Sequence, residues 1–315
     1  MSRPSLFTLL VAGGRTTVRH WRLALLLWLI LAASVLLALP TLSFLTRDFD
    51  GSPFRDALLR GWDARAVQGW LASHVSENLA AIPGLLTALA VAGFVQFFLT
   101  GGAIRLLADA PRRPVVRRLL GASGDLLVPS LWALLRFVGT GALWWAGLVG
   151  VPVLALVKLP GKTVPPNAPL FLLAVAWALV GTLAVFLRTL LRFDLARIAL
   201  ARLDAGNARG AYRVAKRWLQ RGRLAPLSLL LLWLVAIVAL QVVFAKLGVR
   251  LNPHTSPGIA LLVALSQVSV FLATLARLGL WGSLLAWQAG VSPEATAAPA
   301  LSRAEESART LDPGI

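Results

Sequence analysis

Charged groups are scarce in this chain, and one set of them directly follows an apolar run at residues 192 to 204, RFDLARIALARLD. Steps of three and four put Asp194, Arg197, Ala201 and Asp204 on one helical face, and Arg188, Arg192, Leu195, Ala199 and Arg202 on another. Asp194 and Arg197 stand in i,i+3 register, the spacing of a structural ion pair. Arg188 and Arg192 can extend their charged ends toward phosphates while their stems stay in apolar surroundings. AGNARG (205 to 210) then supplies a helix break, and AYRVAKRWLQRGR (211 to 223) reads as a basic amphipathic segment leading to Pro226. The chemistry such residues offer is recognition of anions. Arg192, Arg197, Arg213, Lys216, Arg217 and Arg221 are the candidate contacts to anionic lipid or to an acidic protein partner, each basic residue contributing about 1 kcal/mol near an anionic surface before screening. The same charges would equally serve to fix the orientation of the chain in a bilayer.

Covalent chemistry has little to work with. There is no cysteine, hence no disulfide and no thiolate metal or redox site. His20, His74 and His254 are scattered, and no H-E-x-x-H, G-x-S-x-G or phosphate-binding glycine loop is present. Asp48 and Asp50 in RDFDG lack an ordered third acidic ligand or a histidine and read as a turn or helix cap. The residues point to a non-catalytic protein with no cofactor and no metal. Transport is the alternative: a permease with a neutral pathway would draw on Gln96, Gln241, Gln267, Ser266 and Thr182. No Asp or Glu lies mid-span, where proton- or cation-coupled carriers place one.

The elements that must position these residues follow from composition. Apolar residues make up 58% of the chain and charged residues 14%, with a mean hydropathy of +0.77, far from the soluble mix. A membrane chain is implied, and with few strand-like alternations to compete it is read as all-α, a polytopic helical bundle. Six stretches are long enough to cross a core of roughly 30 Å: near 22 to 45, 80 to 104, 137 to 157, 169 to 191, 225 to 246 and 259 to 287. They read as three helical hairpins, giving a transmembrane domain over 1–290 and a disordered cytoplasmic tail over 291–315, rich in Ala, Pro, Ser and Glu.

The net charge of +18 follows this layout and needs no nucleic acid. Arginines gather before the first span (Arg3, Arg15, Arg19, Arg22), after the second (Arg105, Arg112, Arg113, Arg117, Arg118) and between the fourth and fifth. On the other side, Arg47, Arg55, Arg60 and Arg65 are outnumbered by Asp48, Asp50, Asp56, Asp63 and Glu77. The positive-inside rule then places both termini in the cytoplasm, in a multi-pass protein of a bacterial inner membrane, the preponderance of Arg over Lys fitting a GC-rich bacterial gene. The apolar run Leu23 to Leu45 exceeds a signal-peptide core of about 7–15 residues, so a retained first span is expected.

Two interfacial helices are expected besides. One lies in the outer loop from about 47 to 79, where Phe54, Leu58, Trp62, Ala66, Trp70 and Val75 recur at steps near four. The other lies between Pro114 and Arg136, where leucines cluster opposite Arg117, Arg118 and Asp125; it is read as separate from the third span, which would otherwise bury Asp125 and Arg136. The returning helices echo one another in FFLTGGAIRLLAD (97 to 109), FLRTLLRFDLARIAL (186 to 200) and FLATLARLGLWGSLL (271 to 285), through an internal triplication or through convergence on arginine at cytoplasmic ends. Rows of small residues at steps of four, Ala142, Ala146 and Gly150, and Gly282, Ala286 and Gly290, predict close helix packing on neighbours or on a second copy of the chain.

Asp194, Ala196, Arg197, Ile198 and Leu200, then Asp204 and a basic, Ala-containing helix before the next span, resemble a group of uncharacterised bacterial six-span membrane proteins, as does the Gly101–Gly102 pair. More loosely, the chain resembles the membrane domains attached to some glycerophosphodiester phosphodiesterases. The resemblance covers most of the chain in layout and few residues in motif. It implies a six-span helical domain, and no catalytic residue to carry over. The expected function is a scaffold, sensor or accessory subunit whose partners are membrane lipids, with a protein partner or a homo-oligomer as further candidates.

Overall fold

The computed structural model describes residues 4–36, 75–109, 116–158, 168–203, 207–250 and 256–291. These residues are 97% helical, with no strand among them, the all-α class expected of the sequence. In chain order they form α1 (Leu6–Arg19), α2 (Trp21–Leu36), α3 (Val75–Asp109), α4 (Val116–Trp145), a π-helical turn (Ala146–Gly150), α5 (Val151–Lys158), α6 (Ala168–Leu203), α7 (Ala208–Arg221), α8 (Leu224–Val249) and α9 (Ser256–Val291). The chain divides into two compact units, Arg22–Thr100 and the remainder, Met1–Trp21 with Gly101–Ile315. The remainder holds the residues of interest and is described below by itself.

Five helical stretches are long and apolar enough to cross a membrane: Leu86–Asp109, Val116–Leu154, Leu172–Arg202, Leu224–Gly248 and Ala260–Val291. The apolar part of α2, Trp21–Ala33, is shorter. The second half of the first expected span, most of the 47 to 79 loop with Asp48 and Asp50, and the tail from 292 lie outside the described residues.

The distribution of apolar surface is the inverse of that in a water-soluble protein. Leu143 on α4 is 76% exposed, Leu179 on α6 68% and Val235 on α8 63%, while Leu195, Ile198 and Leu200 near the end of α6 are fully enclosed. Side chains that face outward mid-helix are the ones a hydrocarbon solvent would accept. The tight core instead gathers around the final turns of α6 and α9, the start of α8, and the helices α1 and α7. We call this the basic end, for the arginines around it.

Length separates the two zones. At 1.5 Å per residue the 36 residues of α6 extend about 54 Å, well beyond a core of roughly 30 Å, which leaves room for its charged last turns to stand clear of the hydrocarbon. The helix runs from span to charged segment without a break, as the sequence predicts. It is no free stalk, however: residues 193 to 201 are buried without interruption, because α4, α7 and α9 close around them. The 114 to 136 segment departs from expectation in a related way. It is continuous with the third span in α4, which passes through Pro129 unbroken. Arg136 and Asp125 are exposed on its surface, and Val116–Leu154, 39 residues long, is more than the hydrocarbon can hold as a whole.

That third span also contains the π-helical turn, which sequence periodicity does not reveal. A wide turn leaves a carbonyl without its regular partner. Trp177 Nε1 of α6 donates to Leu148 O at 2.8 Å, and Trp145 Nε1 donates to Thr182 Oγ1 at 3.0 Å, so both indoles tie the irregular turn to α6. The small-residue row Ala142 and Ala146 faces outward, and helix contact runs instead through Val149 against Gly181. The row on α9 does pack as expected: its partner is α1 with the residues just before it, Thr16 covering Gly282 and Pro4 approaching Gly290.

Candidate functional site

α1 was not anticipated as a separate element. Ser5 caps it, accepting from Thr8 N at 3.2 Å, and it lies along the last turns of α9 with Leu9 and Gly13 buried. A Cβ on Gly13 would collide with Gly279 O and Ser283, so this crossing depends on the missing side chain. The start of α4 repeats the arrangement on the last turns of α3, with Leu119 and Ser123 buried and Gly102 directly against them. α7 repeats it on α6, through Ala211 and Ala215. In all three the buried residues are spaced by four and small where backbones approach, so each helix offers its other face outward.

In α7 that outward face is cationic. Asn207 starts the helix, its Oδ1 accepting from Arg209 N at 2.7 Å. Ala208, Ala211, Ala215 and Trp218 fill the buried stripe, while Arg209, Arg213, Lys216, Arg217 and Arg221 are exposed. An isolated amphipathic segment would turn Trp218 toward lipid; here the indole is enclosed within the fold and unavailable to it. Arg221 is drawn to the chain's last described helix, its Nη1 donating to Val291 O at 3.1 Å.

The six candidate contact residues therefore separate. Arg213, Lys216, Arg217 and Arg221 stand on the exposed face of α7, and Arg192 is half-buried beside it. Arg197, named both as a contact and as a partner of Asp194, is 3% exposed and turns into the core, which removes it from any lipid-facing surface. Asp194 is 4% exposed. Two cations act on its carboxylate, Arg277 of α9 more strongly than Arg197 one turn along, and the Trp281 indole faces it without reaching full hydrogen-bond geometry. The grouping thus joins α6 to α9. Arg277 also lies over the Trp281 ring at 5.4 Å, and Arg197 over Phe193 at 5.2 Å, which shields both guanidiniums with aromatic faces. Further along, Arg202 Nη1 donates to Gln288 Oε1, with Gln288 fully buried.

Tyr212 completes the site from α7. Its hydroxyl donates to Ala133 O of α4 at 3.1 Å and the Arg136 guanidinium lies 5.6 Å above its ring. Burial pushes its pKa up to about 12, against the pull of Arg136 and Arg192, so the phenol is a neutral donor here. Arg188 stacks on Trp144 at 4.2 Å. The spacing of charges along one helix does not disclose Arg136, Tyr212 and Arg277 as neighbours of this region, because they come from three other helices. The signal for Arg277 was nonetheless present: a lone charge in a 36-residue apolar helix requires a partner.

Three of the polar groups considered for a pathway are bound locally or between helices: Gln241 accepts from Ser269 at 2.9 Å, Thr182 from Trp145, and Ser266 donates to Val263 O at 2.7 Å. Gln96 lies in the other unit.

No protein-family model, curated protein or solved structure matches the chain.

Proposed function

We propose that the protein is a non-catalytic integral membrane protein of a bacterial inner membrane, with six spans in three hairpins and both termini cytoplasmic. It acts as a scaffold, sensor or accessory subunit whose basic surface on α7 contacts anionic lipid headgroups. One observation carries this reading: α7 is pinned by its small apolar stripe against α6, which leaves Arg209, Arg213, Lys216 and Arg217 together on the face turned outward. Such a face, held at the end of apolar helices, supports a contact with headgroup phosphates, and the neutral phenol of Tyr212 brings no competing charge. The bonds that occupy Gln241, Thr182 and Ser266 speak for a tied bundle over a neutral pathway.

The test is a photo-crosslinking residue in place of Arg217, used in native membranes. Adducts with anionic phospholipids are the expected outcome. A single recurring acidic protein would replace the lipid part of the proposal by a partner. Adducts with neutral lipid alone would overturn the basic surface as an anion contact.

A further inference from the structure

Two spaces flank α7 where it meets α6, and among the described residues no carboxylate lines either of them. The first is a cleft of about 490 Å³ between α6, α7 and α8. Arg188, Arg192, Lys216 and Arg223 border it, and its walls continue away from these cations as Leu187 on α6 and Leu227 and Leu231 on α8. The second is a cavity of about 310 Å³ between α4, α6 and α7, bordered by Arg136, Arg192, Arg209, Arg213 and Lys216. Arg192 and Lys216 line both, so the two spaces adjoin.

The physical situation calls for anions. Arg188 and Arg223 both press on Arg192 as like charges, and the fold holds this crowd in place through the buried stripe of α7. Guanidinium groups set around a small concavity match phosphate oxygens in pairs. The leucine walls decide what carries the phosphate. A free ion has no use for them, whereas a phospholipid has an acyl chain to lay there. Cations on both sides of Arg192 and Lys216 exceed what one phosphate can engage, and they fit two.

We propose that the two spaces together hold one phospholipid with a two-phosphate headgroup: one phosphate on Arg192, Lys216 and Arg223 with an acyl chain along Leu187, Leu227 and Leu231, the other among Arg136, Arg209 and Arg213. This deepens the reading of α7 as a lipid-contacting surface and rests on it. A headgroup bound in this way would bridge α4, α6, α7 and α8, so the occupancy of the site would couple lipid composition to the packing of the basic end.

The full-length chain, placed in phosphatidylcholine nanodiscs with a trace of diphosphatidylglycerol or of phosphatidylglycerol, is released and weighed by native mass spectrometry. One diphosphatidylglycerol per chain should survive release, retained about tenfold better than phosphatidylglycerol, and inorganic pyrophosphate should not displace it. The exposed residues of the site permit variants that leave the fold intact: Lys216→Gln and Arg223→Gln should each lower retention severalfold, while Arg15→Gln on α1 should not. Equal retention of the two lipids would overturn the second phosphate position. Displacement by pyrophosphate would overturn the acyl-chain cleft in favour of a site for free phosphate compounds. If no lipid is retained while position 217 still crosslinks anionic lipid, the bound-lipid site fails and the broader surface stands; if both measurements are negative, both fail.

Discussion

Replacing Asp194 by Asn removes a buried carboxylate whose charge acts on Arg277 and on Arg197, the latter itself only 3% exposed. Breaking a buried charge grouping from one side costs about 3 kcal/mol. Asp125 provides the contrast: it pairs with Arg105 at 3.5 Å but is 70% exposed, and Asp125→Asn should change stability by under about 1 kcal/mol. Denaturant unfolding of the two variants in detergent tests this, and equal losses would count against a structural role for Asp194. Tyr212 offers a cleaner measurement because it is the chain's one tyrosine. Its tyrosinate absorbance should rise with a midpoint near 12 in the folded protein and near the ordinary 10.0 once denatured. The sign for stability follows. The folded state keeps its proton to higher pH than the unfolded state does, so this contribution is complete below pH 10 and is lost as pH rises through 12. A folded midpoint at the ordinary value would mean that Tyr212 is not held between Ala133 and Arg136.

Among the elements, the crossing of α3 and α4 makes a sharp demand on sequence. A Cβ on Gly102 would meet Ser123 Oγ, Leu119 O at 2.5 Å and Ser123 N at 3.0 Å, two of them backbone atoms that cannot rotate away. On the adjacent Gly101 the nearest atom would be Leu126 Cβ at 3.4 Å, an approach that a small shift absorbs. Gly102→Ala should therefore cost about 1–3 kcal/mol and Gly101→Ala much less, although the chemical change is identical. Thermal unfolding of the pair checks it, and equal effects would show that the helices are not in this contact. A glycine pair is conspicuous in the sequence; which of the two is indispensable is not, since that depends on where Ser123 of another helix comes to rest.

For the whole molecule, the proposal of six spans with both termini inside makes a definite pattern of reporter fusions. Fusions after Arg113 and Gly210 should report cytoplasm and those after Gly61 and Lys162 the outside. A reversed or mixed pattern would overturn the topology, and with it the placement of α7 at the cytoplasmic headgroups. The charge argument behind this pattern is separate from span length, so agreement of the fusions with both would be informative. Five of the spans are legible in the sequence because each needs only its own composition: a stretch of about 20 apolar residues will form a helix in lipid whatever its neighbours are, since no other local structure satisfies its backbone there. The unbroken run of α6 into RFDLARIALARLD is legible for a similar reason, there being no Gly or Pro between Gly181 and Asp204 to end it. Contacts between helices are another matter. The nearness of Arg277 to Asp194, the outward turn of Ala142 and Ala146, the burial of Arg197 and Trp218, and the two spaces that share Arg192 and Lys216 all depend on how helices distant in sequence are rotated about their axes. In a chain whose spans are apolar on every side, periodicity does not fix that rotation; the mean pattern around α8 is nearly uniform, and only the close approach of particular small residues selects which face meets which. The sequence by itself determined an all-helical membrane protein with its basic charge gathered between apolar runs, because bilayer solvation acts on each segment alone. Tertiary structure alone decided which of those charges are enclosed and which border an opening, because that is settled by the mutual rotation of α4, α6, α7, α8 and α9.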